Sequence, residues 1–98
     1  MGDLRVRFEA AYSTKLKERP DNATLLRLYA LYKQATIGDI AGTRPNTSDI
    51  IGCAKYDAWS KLKGTTNFEA MNQYIELVES LKARLATYFV DVGSSDVR

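Results

Sequence analysis

Apolar residues recur at three- and four-residue spacing along most of this chain, and this periodicity constrains its fold more than any other feature. The longest such series starts just after Thr66 and comprises Phe68, Met71, Tyr74, Ile75, Val78, Leu81 and Leu85. Positions i, i+3 and i+4 share one face of an α-helix, so this series predicts a helix with its apolar face towards a core. No segment has the alternating pattern of a strand. The sequence therefore predicts an all-α fold.

Capping and helix-breaking residues divide the chain into four predicted helices. These span residues 3–16, 21–37, 48–64 and 66–89, with an irregular loop over residues 38–48. Asp3, Asp21 and either Ser48 or Asp49 are the predicted caps, and Thr66 opens a Thr-x-x-Glu capping box. Helices joined by short turns and one longer loop predict a bundle. We expect one domain over residues 1–92 and a small, polar, flexible tail over residues 93–98.

Composition restricts what such a bundle can do. The chain has 14 basic and 12 acidic residues and a formal net charge of +2, so we expect no nucleic-acid partner. It has no histidine and a single cysteine, Cys53, which excludes an ordinary zinc site, a Ser-His-acid triad and a Cys–His pair. We expect neither a metal nor a cofactor. The lone cysteine and the lack of a long apolar run favour a reducing, cytoplasmic location without a membrane span.

The second predicted helix is unusual because it has two apolar sides. One side carries Leu28, Leu31 and Ala35 and is expected to face the core. The other side carries Leu25, Tyr29, Tyr32, Lys33 and Thr36. Phenol rings and an ammonium beside apolar carbons suit a ligand that has rings, phosphates and an alkyl chain. A buried tyrosine pair with a snorkelling lysine explains this stretch equally well.

Rare residue combinations follow one another at set spacing from this helix onward. They are Tyr29 to Asp39 (YALYKQATIGD), Arg44-Pro45, Gly52 to Trp59 (GCAKYDAW), Leu62-Lys63-Gly64, Ala70-Met71 and Tyr74-Ile75. Together they resemble the signature of the acyl-CoA-binding protein family, densely over residues 21–81 and loosely over the first helix. The resemblance implies an up-down-down-up four-helix bundle. It also implies a non-enzymatic, monomeric, cytoplasmic carrier that transports long-chain fatty acyl-CoA and buffers its pool. Such a carrier meets membranes or acyl-CoA-using enzymes transiently.

The resemblance also implies how the polar head of the ligand is bound. Tyr29, Lys33 and Lys55 are expected to contact, or lie close to, the 3′-phosphate of the adenosine. Lysine suits this role because its ammonium stays protonated and has three N–H donors. Each charge-assisted hydrogen bond contributes about 1.5–3 kcal/mol. Since Lys33 and Lys55 lie on different predicted helices, the hypothesis requires the fold to bring them together.

The remaining implied contacts concern the adenine and the acyl chain. Tyr32 and Tyr74 are expected to line the cavity for both, and Leu25 and Leu26 to border the alkyl chain. Ala10, in the first helix, is expected to pack on the adenine. Each buried methylene is worth about 0.8 kcal/mol, so affinity should rise with chain length.

Some positions depart from the family pattern. Cys53 stands where many members have lysine, Tyr56 stands where tryptophan is usual, and Ile51 replaces a commonly polar residue. The segment before Pro20 is also shorter than in relatives.

Alternative interpretations remain for the whole chain and for single residues. The bundle could be a protein-interaction module with little or no ligand binding, or, more remotely, a thioester hydrolase. Trp59, Leu62 and Phe68 are predicted to be core residues and Cys53 a small packing residue. Tyr12 has no predicted role.

Overall fold

The structure, a computed structural model, describes the backbone of residues 2–97 and the side chains of residues 3–83. Its helices are α1 (Gly2–Ser13), α2 (Asn22–Thr36), α3 (Ile50–Ser60) and α4 (Asn67–Val97). The described backbone contains no strand. The prediction of an all-α fold of four helices is therefore confirmed.

Helix α4 is the element on which the bundle is assembled. Both α1 and α2 pack against α4, and α3 packs against α2. The core consists of Phe8, Ala11, Leu31, Ala35, Ala70, Met71, Ile75 and Val78. Within the described residues, the backbones of α1 and α2 do not approach each other. Only side chains can therefore bridge these two helices.

Local capping fixes the starts of three helices as predicted. The carboxylates of Asp21 and Asp49 each accept a hydrogen bond from the backbone N–H three residues later, at 2.8 and 2.9 Å. A Cβ at Gly52 would meet the Asp49 carboxylate in its present position, so a larger residue there would require the carboxylate to shift. Thr66 and Glu69 bind each other's backbone N–H groups at 3.1 Å, which confirms the capping box.

Helix α1 differs from its predicted limits at both ends. It begins at Gly2, so Asp3 lies in the first turn instead of at the cap. It ends at Ser13 instead of near Leu16. The Thr14 hydroxyl donates to the Ala10 carbonyl at 2.8 Å, which satisfies one of the carbonyls that a helix end leaves free.

The C-terminal ends of α3 and α4 also differ from the predictions. Helix α3 ends at Ser60, and tighter turns carry the chain to Gly64, which has a φ of +91°. Helix α4 continues past Phe89 to Val97. The side chains from residue 84 onward, including those of the proposed tail at 93–98, lie outside the described part.

The predicted core assignment is wrong for Phe68. This ring is 58% exposed at the start of α4, whereas Trp59 and Leu62 are partly buried. In the described part of the chain, no helix is both long and apolar enough to cross a membrane.

Candidate functional site

Two ammonium groups from different helices meet at one phenol ring. The Nζ atom of Lys33, on α2, lies 5.7 Å from the centroid of the Tyr29 ring. The Nζ atom of Lys55, on α3, lies 5.2 Å from the same centroid. The packing of α3 on α2 thus places both lysines within 5.7 Å of the same ring centroid.

The positive charge at this place is not neutralised by the protein. Among residues 3–83, neither Lys33 nor Lys55 forms an ion pair with a carboxylate. Their contacts with the Tyr29 ring are cation–π interactions, which contribute about 0.5–1 kcal/mol each at accessible sites. The chain therefore has a local cluster of positive charge although its net charge is only +2.

Trp59 has a second contact with this site. The Nζ atom of Lys33 lies 5.8 Å from the centroid of its ring. The indole N–H donates to the Gly38 carbonyl at 2.9 Å and to the side-chain oxygen of Gln34 at 3.1 Å. Trp59 is thus partly buried, and one face of its ring contacts the lysine. Sequence reasoning predicted only a packing role for Trp59.

Gln34 lies beneath this site and is completely buried. Its amide nitrogen donates to the Asp39 carboxylate and to the Thr65 carbonyl, both at 2.8 Å. Hydrogen bonds from the backbone N–H of Gly64 and then from the Gln34 amide lower the pKa of Asp39. These bonds connect α2 to the loop after it and to the turn after α3.

Four aromatic rings bridge the space between α1, α2 and α4. Tyr32 packs against Tyr74 at 6.4 Å and against Phe8 at 5.9 Å between centroids. Tyr12 meets Phe8 at 5.1 Å and Tyr32 at 5.3 Å, the latter with perpendicular planes at 86°. Tyr32 and Tyr74 therefore belong to one aromatic cluster.

Tyr12 belongs to this cluster, although sequence reasoning predicted no role for it. It lies one helical turn after Phe8, so the i, i+4 spacing was the available signal. Ala10, which was expected to contact the ligand, is exposed. Positions two apart on a helix point about 160° away from each other, so Ala10 faces away from the Tyr12 side. The structure does not bring Ala10 to the aromatic cluster.

Burial also affects the acidity of one ring hydroxyl. Desolvation raises the pKa of the Tyr74 phenol, and the neighbouring Tyr32 phenol adds to this effect. Tyr74 therefore stays neutral at physiological pH and can both donate and accept a hydrogen bond.

The two leucines predicted to border an alkyl chain are partly buried on α2. Leu25 lies one turn before Tyr29, and Leu26 lies two turns before Lys33. Leu25 therefore lies on the same face of α2 as Tyr29, and Leu26 lies on the same face as Lys33.

Two of the three residues that depart from the family pattern, Cys53 and Tyr56, contact the loop after α2. The Cys53 thiol is buried and lies 3.4 Å from the carbonyls of Pro45 and Asn46. The Tyr56 hydroxyl donates to the Gly42 carbonyl at 3.1 Å. These side chains therefore hold the loop to α3.

An ion pair and a shallow hollow also lie between this loop and α3. The guanidinium of Arg44 makes two hydrogen bonds of 2.9 Å to the Asp57 carboxylate, which lower the pKa of Asp57. The hollow is about 290 Å³ and is lined by Arg44, Thr47, Ile50, Cys53, Ala54 and Asp57. It is separate from the lysines and the tyrosine cluster. In the described residues, no three Cys, Asp or Glu side chains are grouped closely enough to hold a metal ion.

Known sequences similar to this chain share one description. The family model described as acyl CoA binding protein matches residues 5–78. A relative from Caenorhabditis elegans, acyl-CoA-binding protein homolog 1, is 44% identical over 77 residues, which cover 78% of this chain and 90% of the relative. The homolog from Manduca sexta is 45% identical over 85 residues, covering 84% of this chain and 94% of the relative.

Solved structures give the same result for the fold. The crystal structure of acyl-CoA-binding protein 2 from Oryza sativa has a TM-score of 0.80 and 34% identity, covering 86% of this chain and 96% of that one. The crystal structure of ACBP from Moniliophthora perniciosa has a TM-score of 0.77 and 27% identity, covering 92% and 95%. The predicted type of four-helix bundle is confirmed by these likenesses.

Proposed function

Because this chain belongs to the acyl-CoA-binding protein family, we propose that it binds long-chain fatty acyl-CoA thioesters and carries them without catalysing a reaction. As such a carrier, it acts as a cytoplasmic monomer, buffers the acyl-CoA pool and meets membranes or acyl-CoA-using enzymes transiently. The observation that supports this proposal best is the meeting of Lys33 and Lys55 at the Tyr29 ring.

The lysines and Tyr29 bind the 3′-phosphate of the ligand. A phosphate between the two ammonium groups receives charge-assisted hydrogen bonds from both, each worth about 1.5–3 kcal/mol. It also removes the repulsion between two positive charges that share one ring. Two neighbouring positive charges are favourable when an anion binds between them. They would not favour binding of an apolar partner helix.

The aromatic cluster receives the adenine and the start of the acyl chain. Tyr32 and Tyr74 line this part of the site, and Leu25 and Leu26 border the alkyl chain. We assign the first-helix contact to Tyr12 in place of Ala10, because the Tyr12 ring stands at right angles to that of Tyr32. Two perpendicular rings can contact a planar base in two ways: one ring stacks on it through its face, and the other meets it with its edge.

Calorimetric titration with palmitoyl-CoA, free palmitate and unacylated CoA tests the proposal. We expect tight one-to-one binding of palmitoyl-CoA and much weaker binding of the other two, since each carries only part of the recognised chemistry. Equal affinity for palmitate and palmitoyl-CoA would contradict the head-group assignment.

Two further measurements address the alternative functions. Native mass spectrometry of the expressed protein should show retained acyl-CoA, whereas an interaction module would show the bare chain. Free CoA released from palmitoyl-CoA should not exceed that of a protein-free blank. Release above the blank would favour a hydrolase instead of a carrier.

A further inference from the structure

We infer that Gln34 and Trp59 are positioning residues that hold the ammonium of Lys33 in place for the 3′-phosphate. The buried amide of Gln34 fixes the indole of Trp59, and the indole supports the lysine. This inference rests on the proposed function and deepens it, because it names the residues that set selectivity for the phosphate.

The first step is the environment of Gln34. A buried amide is expensive unless it is hydrogen-bonded, and this one has bonds from both its nitrogen and its oxygen. Its partners lie in the loop after α2, in α3 and in the turn before α4. The side chain is therefore held in one orientation by three separate segments of the chain.

The second step is the orientation of Trp59. Its N–H is shared between the Gln34 oxygen at 3.1 Å and the Gly38 carbonyl at 2.9 Å. Both acceptors lie at the C-terminal end of α2, so the edge of the indole is tied to the helix that carries Lys33. The ring face stays available for the ammonium, which lies 5.8 Å from its centroid.

The third step is the consequence for Lys33. A free lysine side chain samples many rotamers, and fixing it on binding costs conformational entropy and so lowers affinity. Lys55 approaches the same Tyr29 ring and repels Lys33. The Trp59 face provides a second attraction that offsets this repulsion and keeps the Lys33 ammonium at the site before the phosphate arrives.

The test compares palmitoyl-CoA with 3′-dephospho-palmitoyl-CoA, using the ratio of their dissociation constants as the measured quantity. We expect Gln34→Leu and Trp59→Leu each to lower this preference for the phosphate about three- to tenfold, while binding of the dephospho ester changes little. Trp59→Phe should restore part of the preference, because it restores an aromatic face. A purely structural role would weaken both esters by the same factor.

Asn67→Ala is the matched control. Its amide donates to the carbonyls of Gln34 and Ala35 at 2.9 and 3.1 Å, so the variant loses hydrogen bonds to the same segment without touching Trp59. Its phosphate preference should equal that of the unmodified protein.

The outcomes separate this inference from the proposed function. If the unmodified protein does not distinguish the two esters, the head-group assignment itself fails, and the inference fails with it. If the unmodified protein distinguishes them and the folded variants keep the full preference, only the inference is overturned. Should Gln34→Leu not fold, as circular dichroism would show, the Trp59 variants decide the question.

Discussion

At the scale of single residues, Tyr29 is the side chain at the centre of the proposed anion site. Its ring meets the ammonium of Lys33 from its own helix and that of Lys55 from α3. The negative face of a phenol ring can attract two cations that repel each other. The ring is thus a contact that both lysines share.

The structure makes a specific prediction for Tyr12. Replacing Tyr12 by alanine should weaken binding of palmitoyl-CoA about three- to tenfold, because it removes the ring that packs at a right angle on Tyr32. Tyr12→Phe should bind almost as well as the unmodified protein, since the ring, and not the hydroxyl, makes this contact. Isothermal titration calorimetry measures both.

Ala10→Leu is the control for Tyr12. This exposed position faces the other side of α1, so the larger side chain should leave affinity unchanged. If Ala10→Leu impairs binding while Tyr12→Ala does not, the assignment of the first-helix contact reverts to Ala10.

Sequence reasoning identified some site residues and not others for a physical reason. Lys33 and Lys55 could be predicted because their residue types and spacing match the family signature. Tyr12 belongs to the loosely matching first helix, where only its helical phase relative to Phe8 was informative. The burial of Gln34 could not be predicted, because it depends on segments far away in the chain that close over α2.

At the scale of helices, the starts were predictable and the ends were less so. A cap such as Asp21 acts through a backbone N–H three residues away, so the local sequence contains the whole interaction. The end of α3 is different. The N–H of Gly64 is bound by the Asp39 carboxylate at 2.9 Å, and this contact between distant segments is invisible in the local sequence.

The same Asp39 carboxylate should make the free energy of unfolding of the bundle depend on pH. Hydrogen bonds from Gly64 and Gln34 lower its pKa in the folded protein below the ordinary value of 3.8. The resulting stabilisation is present above that ordinary value and is lost as the pH falls through the lowered pKa. Asp39→Asn should therefore be less stable than the unmodified protein at pH 7, and this difference should shrink as the pH falls below the ordinary value of 3.8.

Urea unfolding at several pH values between 7 and 2.5 measures this difference in free energy. Glu79→Gln serves as the control, because the Glu79 carboxylate makes only an exposed contact of 3.5 Å with Lys82. Its difference from the unmodified protein should stay small at every pH. A stability gap for Asp39→Asn that stays constant down to pH 2.5 would show that the carboxylate charge does not stabilise the fold.

At the scale of the whole molecule, the lysine pair and the tyrosine cluster lie towards different helices. Helices α1 and α3 pack on different partners, α4 and α2. The lysine pair lies towards α3 and the tyrosine cluster lies towards α1. A ligand with an anionic head and an apolar tail thus meets two chemically different ends of one site.

Affinity should therefore depend on the length of the acyl chain. Each methylene that leaves water contributes about 0.8 kcal/mol, or roughly a fourfold gain in affinity, until the tail outgrows the buried path. Titrations with acyl-CoA esters of increasing length should show this rise and then a plateau. Affinity that is independent of chain length would show that the tail stays in solvent, as in an interaction module.

The most direct test of the account measures the energy of the 3′-phosphate contact. The unmodified protein should bind palmitoyl-CoA at least about 100-fold more tightly than 3′-dephospho-palmitoyl-CoA, and Lys33→Ala or Lys55→Ala should each lower this preference at least about tenfold. Lys61→Ala, a lysine at the C-terminal end of α3, should keep it. If both lysine variants at the site weaken the two esters by the same factor, the lysines do not bind that phosphate, and the proposed site is wrong.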